Sequence, residues 1–238
     1  MAALACTDLS GSSTSVLSIQ FDTLPAPSVV VGDTLRDTTG AVIYPVVHAF
    51  NFDGEEITPA PVYFQSPDSG VTVDSVTGIV VGDSLRSTPA RIIATVGTLQ
   101  AIQRVDVTLR PDSVGPANGR DTLQYSLVDT TKNLSSPLTV KLTHGVAPND
   151  SAVKSYLVSF AITTQSDPGV GELVNDVGRP SVVDTTDASG IAGRKIRLHP
   201  LSLKTADDSI VVSATVKYRG AQVTGSPVRL VLVLKPPG

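Results

Sequence analysis

The chain has 238 residues, enough for one large domain or for two domains of about 100–120 residues each. Hydrophobic residues make up 41% of it, which favours a packed core over a disordered chain. The net charge of -4 and the lack of a clustered basic stripe exclude a nucleic-acid partner, because that binding needs clustered cations.

The kinds of apolar residue predict an all-β fold. Valine and threonine are abundant, tryptophan is absent, and aromatic residues make up only 4%. Side chains branched at Cβ fit a pleated sheet and lose freedom in a helix. The 19 glycines and 17 prolines supply turns between strands. The single cysteine, Cys6, excludes an internal disulfide and a metal site built on several thiolates.

The first half of the chain predicts about seven to nine short strands at the spacing of a β-sandwich. Gly32-Asp33 and Asp53-Gly54 are turn signals, because glycine accepts a positive φ and aspartate bonds to nearby backbone. Pro45 predicts an edge or a bend within its strand. In chain order, the predicted strands are 16–24, 29–31, 41–50, 62–66, 71–73, 78–81, 90–96 and 103–109.

A linker is predicted at residues 111–119, which are rich in proline and glycine and poor in large apolar residues. Strand patterns resume after it, although 165–178 predict a long polar loop and 219–222 a turn. In chain order, the predicted strands of this half are 122–128, 138–143, 155–163, 181–184, 195–198, 209–218 and 228–234. The predicted organisation is a flexible tether at 1–15, a sandwich at 16–110, the linker, and a second sandwich at 120–238.

One short motif occurs twice. Val30–Arg36 reads V-V-G-D-T-L-R, and Val80–Arg86 reads V-V-G-D-S-L-R. A repeat of about 50 residues would indicate a propeller or solenoid. The flanking residues do not match and there is no third copy, so we interpret the motif as the same strand-and-turn chemistry used twice.

The segment 16–109 resembles the bacterial Ig-like group 2 domains of intimin-like and other cell-surface proteins. The resemblance rests on Val31–Leu35, on the Asp53-Gly54 hairpin and on the stretch from Val71 through Thr77 to Val80. Tyr63-Phe64 stand where that family usually has tryptophan, and the glycine expected near Pro89-Ala90 is missing.

The segment 120–238 resembles the group 1 type of bacterial Ig-like domain. Thr186–Ala192 resembles that family's turn before a strand, and Ser209–Lys217 resembles its strand ending in Ala-Thr-Val. A fibronectin-like sandwich explains the periodicity equally well. Together the resemblances imply an all-β chain of two tandem Ig-like antiparallel β-sandwich domains.

The N-terminus has two interpretations. A small residue before Cys6, followed by a polar run, resembles the end of a bacterial lipoprotein signal, which predicts lipidation of Cys6. However, only five residues precede Cys6, and a signal has a charged region and an apolar stretch of about 7–15 residues. The alternative is an ordinary N-terminus with a free or buried thiol.

No constellation in the sequence predicts catalysis. There is no Gly-x-Ser-x-Gly elbow and no Gly-rich phosphate loop. His48, His144 and His199 each stand alone in sequence, so we interpret them as strand or loop-edge residues. Calcium is the best cofactor candidate, although no cofactor is predicted outright, because hard cations take oxygen ligands from loops. The oxygen-rich loops are Asn51–Glu56, Asn149–Ser151, Asp184–Asp187 and Asp207-Asp208.

We therefore predict a non-catalytic structural or binding module outside the cytoplasm, in the periplasm, the outer membrane or the cell surface, of the spacer or adhesion type. Its partners would be proteins, and it would reach a membrane only through a lipidated Cys6. Two alternatives remain. One is a scaffold subunit that stabilises a larger membrane complex. The other is a filament protomer whose segment Ser10–Phe21 adds to the sheet edge of the next copy.

Overall fold

The computed structural model describes residues 15–167, 170–200, 202 and 206–235. Within those residues the chain forms twenty β-strands and one short 3-10 helix at Thr130–Lys132. No helix in this part of the chain is long and apolar enough to cross a membrane. The prediction of an all-β fold is confirmed.

The first eight strands form the first sandwich. They are β1 (Ser18–Phe21), β2 (Ser28–Val30), β3 (Val47–Phe50), β4 (Tyr63–Gln65), β5 (Val71–Val73), β6 (Val80–Gly82), β7 (Ala90–Val96) and β8 (Leu99–Thr108). The largest sheet has the order β2-β8-β7-β4, and the pairs β1-β3 and β5-β6 form two further sheets. Strict alternation in β7, where every second side chain is buried, places one of its faces on the core.

The second sandwich contains the other twelve strands. They are β9 (Ser113–Asn118), β10 (Arg120–Gln124), β11 (Leu138–His144), β12 (Ser151–Ala152), β13 (Leu157–Thr164), β14 (Gly171–Val174), β15 (Val183–Thr185), β16 (Ile191–Leu198), β17 (Asp208–Thr215), β18 (Lys217–Tyr218), β19 (Ala221–Gln222) and β20 (Val228–Lys235). One sheet has the order β10-β20-β17-β13-β15, and the other has the order β12-β11-β16-β14 with β9 paired to β11. A small hairpin, β18-β19, stands apart from both sheets.

Each sandwich has its own hydrophobic core. The first core is built on fully buried side chains such as Leu35, Ile92 and Val107. The second is larger and includes Leu142, Ile210 and Leu232. Burying a valine, leucine or isoleucine side chain contributes about 1.5–3 kcal/mol, so each core supplies most of the driving force for its own domain. The two tandem Ig-like sandwiches predicted from the sequence are confirmed.

Two strand pairs are parallel, which the antiparallel prediction missed. β2 runs parallel to β8 in the first sandwich, and β10 runs parallel to β20 in the second. In each sandwich the parallel partners are an early strand and the last strand of that domain, and they meet across the edge of a sheet that is otherwise antiparallel. The periodicity of single strands carries no information on their direction, so the sequence could not show this.

Three local predictions were wrong. Ser113–Asn118 lies in the predicted linker but forms β9, because its backbone pairs with β11 in spite of Pro116. The predicted loop at 165–178 contains β14, whose Leu173 and Val174 are buried. The predicted strand at 41–50 begins only at Val47, and residues 41–46 follow an irregular path.

Candidate functional site

The two sandwiches meet at a joint, by which we mean all the contacts between the first sandwich and the second. Several of these contacts lie between the end of β8 and the start of β13. The Thr108 hydroxyl donates to the Lys154 carbonyl at 2.6 Å. The Ser155 hydroxyl donates to an oxygen of the Asp106 carboxylate at 2.7 Å. Lys154 Nζ donates to the Arg86 carbonyl at 3.2 Å. Apolar packing adds to these bonds, because Leu157 of the second sandwich packs against the first core.

The connection between the sandwiches is short and tied down on both sides. Only residues 109–112 separate β8 from β9. Arg110 Nε lies 2.7 Å from Asp112 Oδ1. The other oxygen of Asp112 accepts from the Gly145 backbone N–H at 2.9 Å and lies 2.7 Å from His144 Nδ1. These contacts tie the connection to its neighbours, and most of the predicted linker at 111–119 belongs to β9.

A buried carboxylate, Asp33, also joins the two domains. The Asp33 side chain is only 3% exposed. Arg36 Nε, from the same sandwich, donates to both of its oxygens at 3.2 Å. Arg219 Nε, from the second sandwich, donates to Oδ2 at 2.8 Å. A guanidinium from each domain therefore shares one carboxylate, and we call this ion-pair cluster the latch.

The pKa of Asp33 shows that the latch carboxylate is ionised at neutral pH. Burial by itself raises this pKa, since it disfavours the charged form. The hydrogen bonds from Arg219, the Thr34 backbone and Tyr218, with the nearby charge of Arg36, outweigh burial and lower the pKa from 3.8 to about 2. The two guanidiniums, the Thr34 N–H and the Tyr218 hydroxyl thus compensate the buried charge, as a buried ion pair requires.

Two residues at the joint have an unusual backbone. Ser155 has φ of 55° and Arg219 has φ of 50°, and these are the non-glycine residues with positive φ within the described ranges. Residues other than glycine rarely adopt this backbone conformation, and each instance costs of order 1–3 kcal/mol of conformational free energy. Both residues make bonds across the joint, so the strain lies where the two domains meet.

The turn at Gly40 lies directly against the turn at Gly220. Gly40 has φ of 94°, and a Cβ built there would lie 2.1 Å from the Gly220 backbone N. A Cβ at Gly220 would lie 3.2 Å from the Thr39 carbonyl oxygen. Only glycine at position 40 permits this close backbone approach. The contact brings the second sandwich against the first beside the latch.

A cleft of about 340 Å³ lies between the latch and the rest of the joint. The first sandwich lines it with the segment from Ala26 to Thr39, and the second lines it with parts of β13, β17 and the β18-β19 turn. Tyr156 is largely buried, which raises the pKa of its hydroxyl, and that hydroxyl donates to the Lys217 carbonyl at 2.7 Å. Burial likewise raises the pKa of Tyr218, whose ring lies under the Arg219 guanidinium at 5.4 Å.

The repeated V-V-G-D motif lies at this joint. Its two copies pair with each other, since Gly32 N–H donates to the Gly82 carbonyl at 2.7 Å and Gly82 N–H donates to the Asp33 carbonyl at 3.0 Å. The first copy supplies Asp33 to the latch, and the second supplies the Arg86 carbonyl that accepts from Lys154. From the sequence, the repeated motif predicted only two similar strand-and-turn segments. The structure adds that the two copies pair with each other and that both contact the second sandwich.

Two of the sequence-predicted calcium loops, Asn51–Glu56 and Asp184–Asp187, use side-chain oxygens for turns and ion pairs. Asn51 Oδ1 accepts from the backbone N–H of Asp53 and Glu55, each at 2.9 Å. Asp187 Oδ1 accepts from Ser189 N–H at 2.8 Å, and Asp184 Oδ1 lies 2.8 Å from Arg194. Within the described part of the chain, no group of three or more His, Cys, Asp or Glu residues could hold a metal ion.

Each of the three histidines has a carboxylate neighbour that is distant in sequence. His48 lies between Glu56 and Asp22 at 2.8 and 3.3 Å, and hydrogen bonds to the two carboxylates raise its pKa. His144 contacts Asp112, and His199 Nε2 lies 3.6 Å from Glu172. They lie at different places in the fold and do not form a common site. Cys6 and the predicted tether up to Thr14 lie outside the described residues.

No family model matches the chain, and no curated protein matches it either. Among solved structures, it is similar to domains 4 and 5 of the S-layer protein SbsC, at 11% identity and a TM-score of 0.34, covering 94% of this chain and 99% of that one. It is also similar to the EC1-2 fragment of human protocadherin-24, at 14% identity and a TM-score of 0.30, covering 94% and 100%. Likenesses at this level do not extend to function.

Proposed function

We propose that the protein is a non-catalytic spacer of the adhesion type, in which a fixed joint holds two Ig-like sandwiches in one orientation outside the cytoplasm. The observation that carries this proposal is that the two sandwiches are bonded at separate points, through the latch and through the Thr108–Lys154 and Ser155–Asp106 bonds. Two domains joined by a flexible tether would need neither the latch nor the bonds at Thr108 and Ser155. Contacts at several separate points resist bending more than a single contact would.

The path of the strands supports an end-to-end arrangement. β8 runs into the joint, since its last residue, Thr108, bonds to Lys154. β17 runs towards the joint as well, because β13 leaves the joint and pairs antiparallel with it. β20 pairs antiparallel with β17 and therefore runs away from the joint. A domain pair of this kind separates whatever is attached at its two ends.

The sheet edges favour a spacer over a filament built by strand addition. The edge strands β4 and β15 have only three residues each, and short edges are one way in which proteins avoid edge-to-edge pairing. Ser18–Phe21, which lies within the proposed donor segment Ser10–Phe21, already pairs with β3. In this arrangement a donor strand would have to leave its own sheet first.

We further propose that the first sandwich is of the bacterial Ig-like group 2 type and the second of the group 1 type, that the partners are proteins, and that lipidation of Cys6 tethers the chain to a membrane. Support for this comes from the sequence motifs and from the polar run that follows Cys6.

Single-molecule energy transfer tests the fixed joint. Cys6 is replaced by serine, and labels are placed through Thr98→Cys, in the exposed β7-β8 turn, and through the highly exposed Val128→Cys. We expect one narrow distribution of distances between the labels, because the latch and the bonds at Thr108 and Ser155 fix the domains. Arg219→Gln removes the latch cation of the second domain and should broaden this distribution.

The matched control is Arg229→Gln, on an exposed position of β20 without an ion pair to a described residue. It makes the same change of charge and should leave the distribution narrow. A broad distribution in the parent chain, indistinguishable from that of Arg219→Gln, would contradict the proposed function.

A further inference from the structure

The cleft at the joint contains hydrogen-bonding groups that the fold itself does not use. Within the described part of the chain, the side chains of Thr38, Ser159, Thr215 and Lys217 line the cleft and make no hydrogen bond or ion pair with one another or with other described residues. Ser159 lies opposite Thr215 in the register of β13 and β17. Lys217 follows two residues after Thr215, at the start of β18. Three residues with hydroxyls and one with an ammonium therefore line one space.

The charges that line the cleft favour an anion. Arg36, Lys217 and Arg219 are its cations, and Asp33 and Asp37 are its carboxylates. Both guanidiniums bond to Asp33 through Nε, and Arg36 Nη1 donates to the Gly40 carbonyl, so each guanidinium keeps further N–H groups. Asp37 Oδ1 accepts from the N–H groups of its own turn. The planar guanidinium is the side chain best matched to a carboxylate.

The size and the walls of the cleft favour a small polyhydroxylated body. Its volume of about 340 Å³ lies at the low end of the range of small-molecule sites, roughly 300–1,000 Å³, and such sites are common between domains. Hydroxyls both donate and accept, so Thr38, Ser159 and Thr215 match the hydroxyls of a sugar. Pro27 and Leu157 provide apolar wall for the ring.

We propose that the cleft binds a monosaccharide-sized ligand that carries one carboxylate, a uronic-acid unit. The carboxylate lies among Arg36, Lys217 and Arg219, and the sugar hydroxyls bond to Thr38, Ser159 and Thr215. Because these residues come from both sandwiches, this proposal rests on the joint described under the proposed function, and the bound ligand bridges the joint.

Titration of the isotope-labelled full chain with glucuronate, followed by amide and methyl NMR shifts, tests the proposal. We expect saturable shifts confined to the cleft residues, and affinity at least tenfold weaker for glucose, which lacks the carboxylate. Lys217→Gln should weaken glucuronate binding about tenfold. The matched control Lys141→Gln, on an exposed position of β11, should not change it.

Three results would overturn the proposal. The first is the absence of saturable shifts with glucuronate, and the second is equal affinity for glucose and glucuronate. The third is inorganic sulfate binding as tightly as glucuronate, because the sugar body would then contribute nothing to affinity. A narrow energy-transfer distribution together with no glucuronate binding would reject the ligand and leave the spacer intact. A broad distribution of distances between the labels in the parent chain would contradict the spacer. The ligand proposal, which rests on the joint, would then fail with it.

Discussion

Asp33 is the residue on which the joint depends most. Its carboxylate is buried, and it accepts hydrogen bonds from a guanidinium of each sandwich. A buried ion pair contributes little net stability relative to apolar packing, yet removal of one partner leaves an uncompensated buried charge. We therefore expect Asp33 to specify how the two domains are oriented more than it stabilises either of them.

The pKa of Asp33 predicts how its contribution to stability changes with pH. Because the folded pKa is lowered from 3.8 to about 2, the contribution is present above about pH 4 and is lost as the pH falls towards 2. A change of this size corresponds to about 2 kcal/mol. We expect the difference in unfolding free energy between the parent chain and Asp33→Asn to be about 2 kcal/mol smaller at pH 2 than at pH 7.

Urea denaturation at the two pH values measures this difference. Asp150→Asn, in an exposed turn, makes the same chemical change away from the joint, and we expect its effect to stay within about 0.5 kcal/mol at both pH values. An Asp33→Asn difference that is the same at pH 2 and pH 7 would show that the carboxylate is not stabilised by the latch.

At the scale of elements, two turns carry the contact between the domains. The turn at Gly40 and the β18-β19 turn at Gly220 approach so closely that a Cβ at position 40 would overlap the opposite backbone. The β18-β19 hairpin belongs to neither sheet of the second sandwich, and its turn supplies Arg219 to the latch. A small hairpin outside both sheets thus supplies two of the contacts of the second sandwich to the first.

Gly40→Ala and Gly54→Ala form a matched pair that tests this contact. Both glycines have positive φ, at 94° and 78°, so alanine should cost each turn about 1–2 kcal/mol of backbone strain. No atom lies within 4 Å of a Cβ built at Gly54. We expect both variants to lower the stability of the first sandwich in urea, and only Gly40→Ala to broaden the energy-transfer distribution. An unchanged distribution in Gly40→Ala would show that the turns do not set the orientation.

At the scale of the whole molecule, the joint connects two domains that each have a separate core. The connection of residues 109–112 is too short to let the sandwiches separate, and its polar side chains are paired. Interfaces between domains of one chain are usually mobile unless they are large and apolar. The proposed fixed joint therefore relies on a charged cluster and a close turn contact, with Leu157 adding apolar packing.

The proposed location makes a prediction about the whole chain. If Cys6 is lipidated, the protein fractionates with membranes of the producing cell and incorporates a labelled fatty acid, because an acyl chain adds membrane affinity. Cys6→Ser should abolish the label and release the protein into an extracytoplasmic soluble fraction, whereas the neighbouring substitution Thr7→Ser should do neither. Recovery of the unlabelled parent chain in the cytoplasm would contradict both the location and the tether.

Much of the fold was predictable from local patterns. The alternation at Leu138–Thr143 and the apolar run at 228–234 gave β11 and β20 nearly to the residue, since burial of one sheet face imposes a period of two. Gly54 marked its turn because glycine accepts a positive φ. Ser113–Asn118 was missed because pairing with β11 outweighs the turn propensity of its proline and glycine.

The sequence by itself determined the all-β class, the two cores and the positions of most turns, because these follow from side-chain branching, alternation and glycine. Only the tertiary structure decided which strands run parallel and where the domains meet. Asp33 and Arg219 are 186 positions apart, and no local pattern connects two charges at that separation. Their pairing depends on the path of the whole chain, which brings the first V-V-G-D turn against the β18-β19 hairpin.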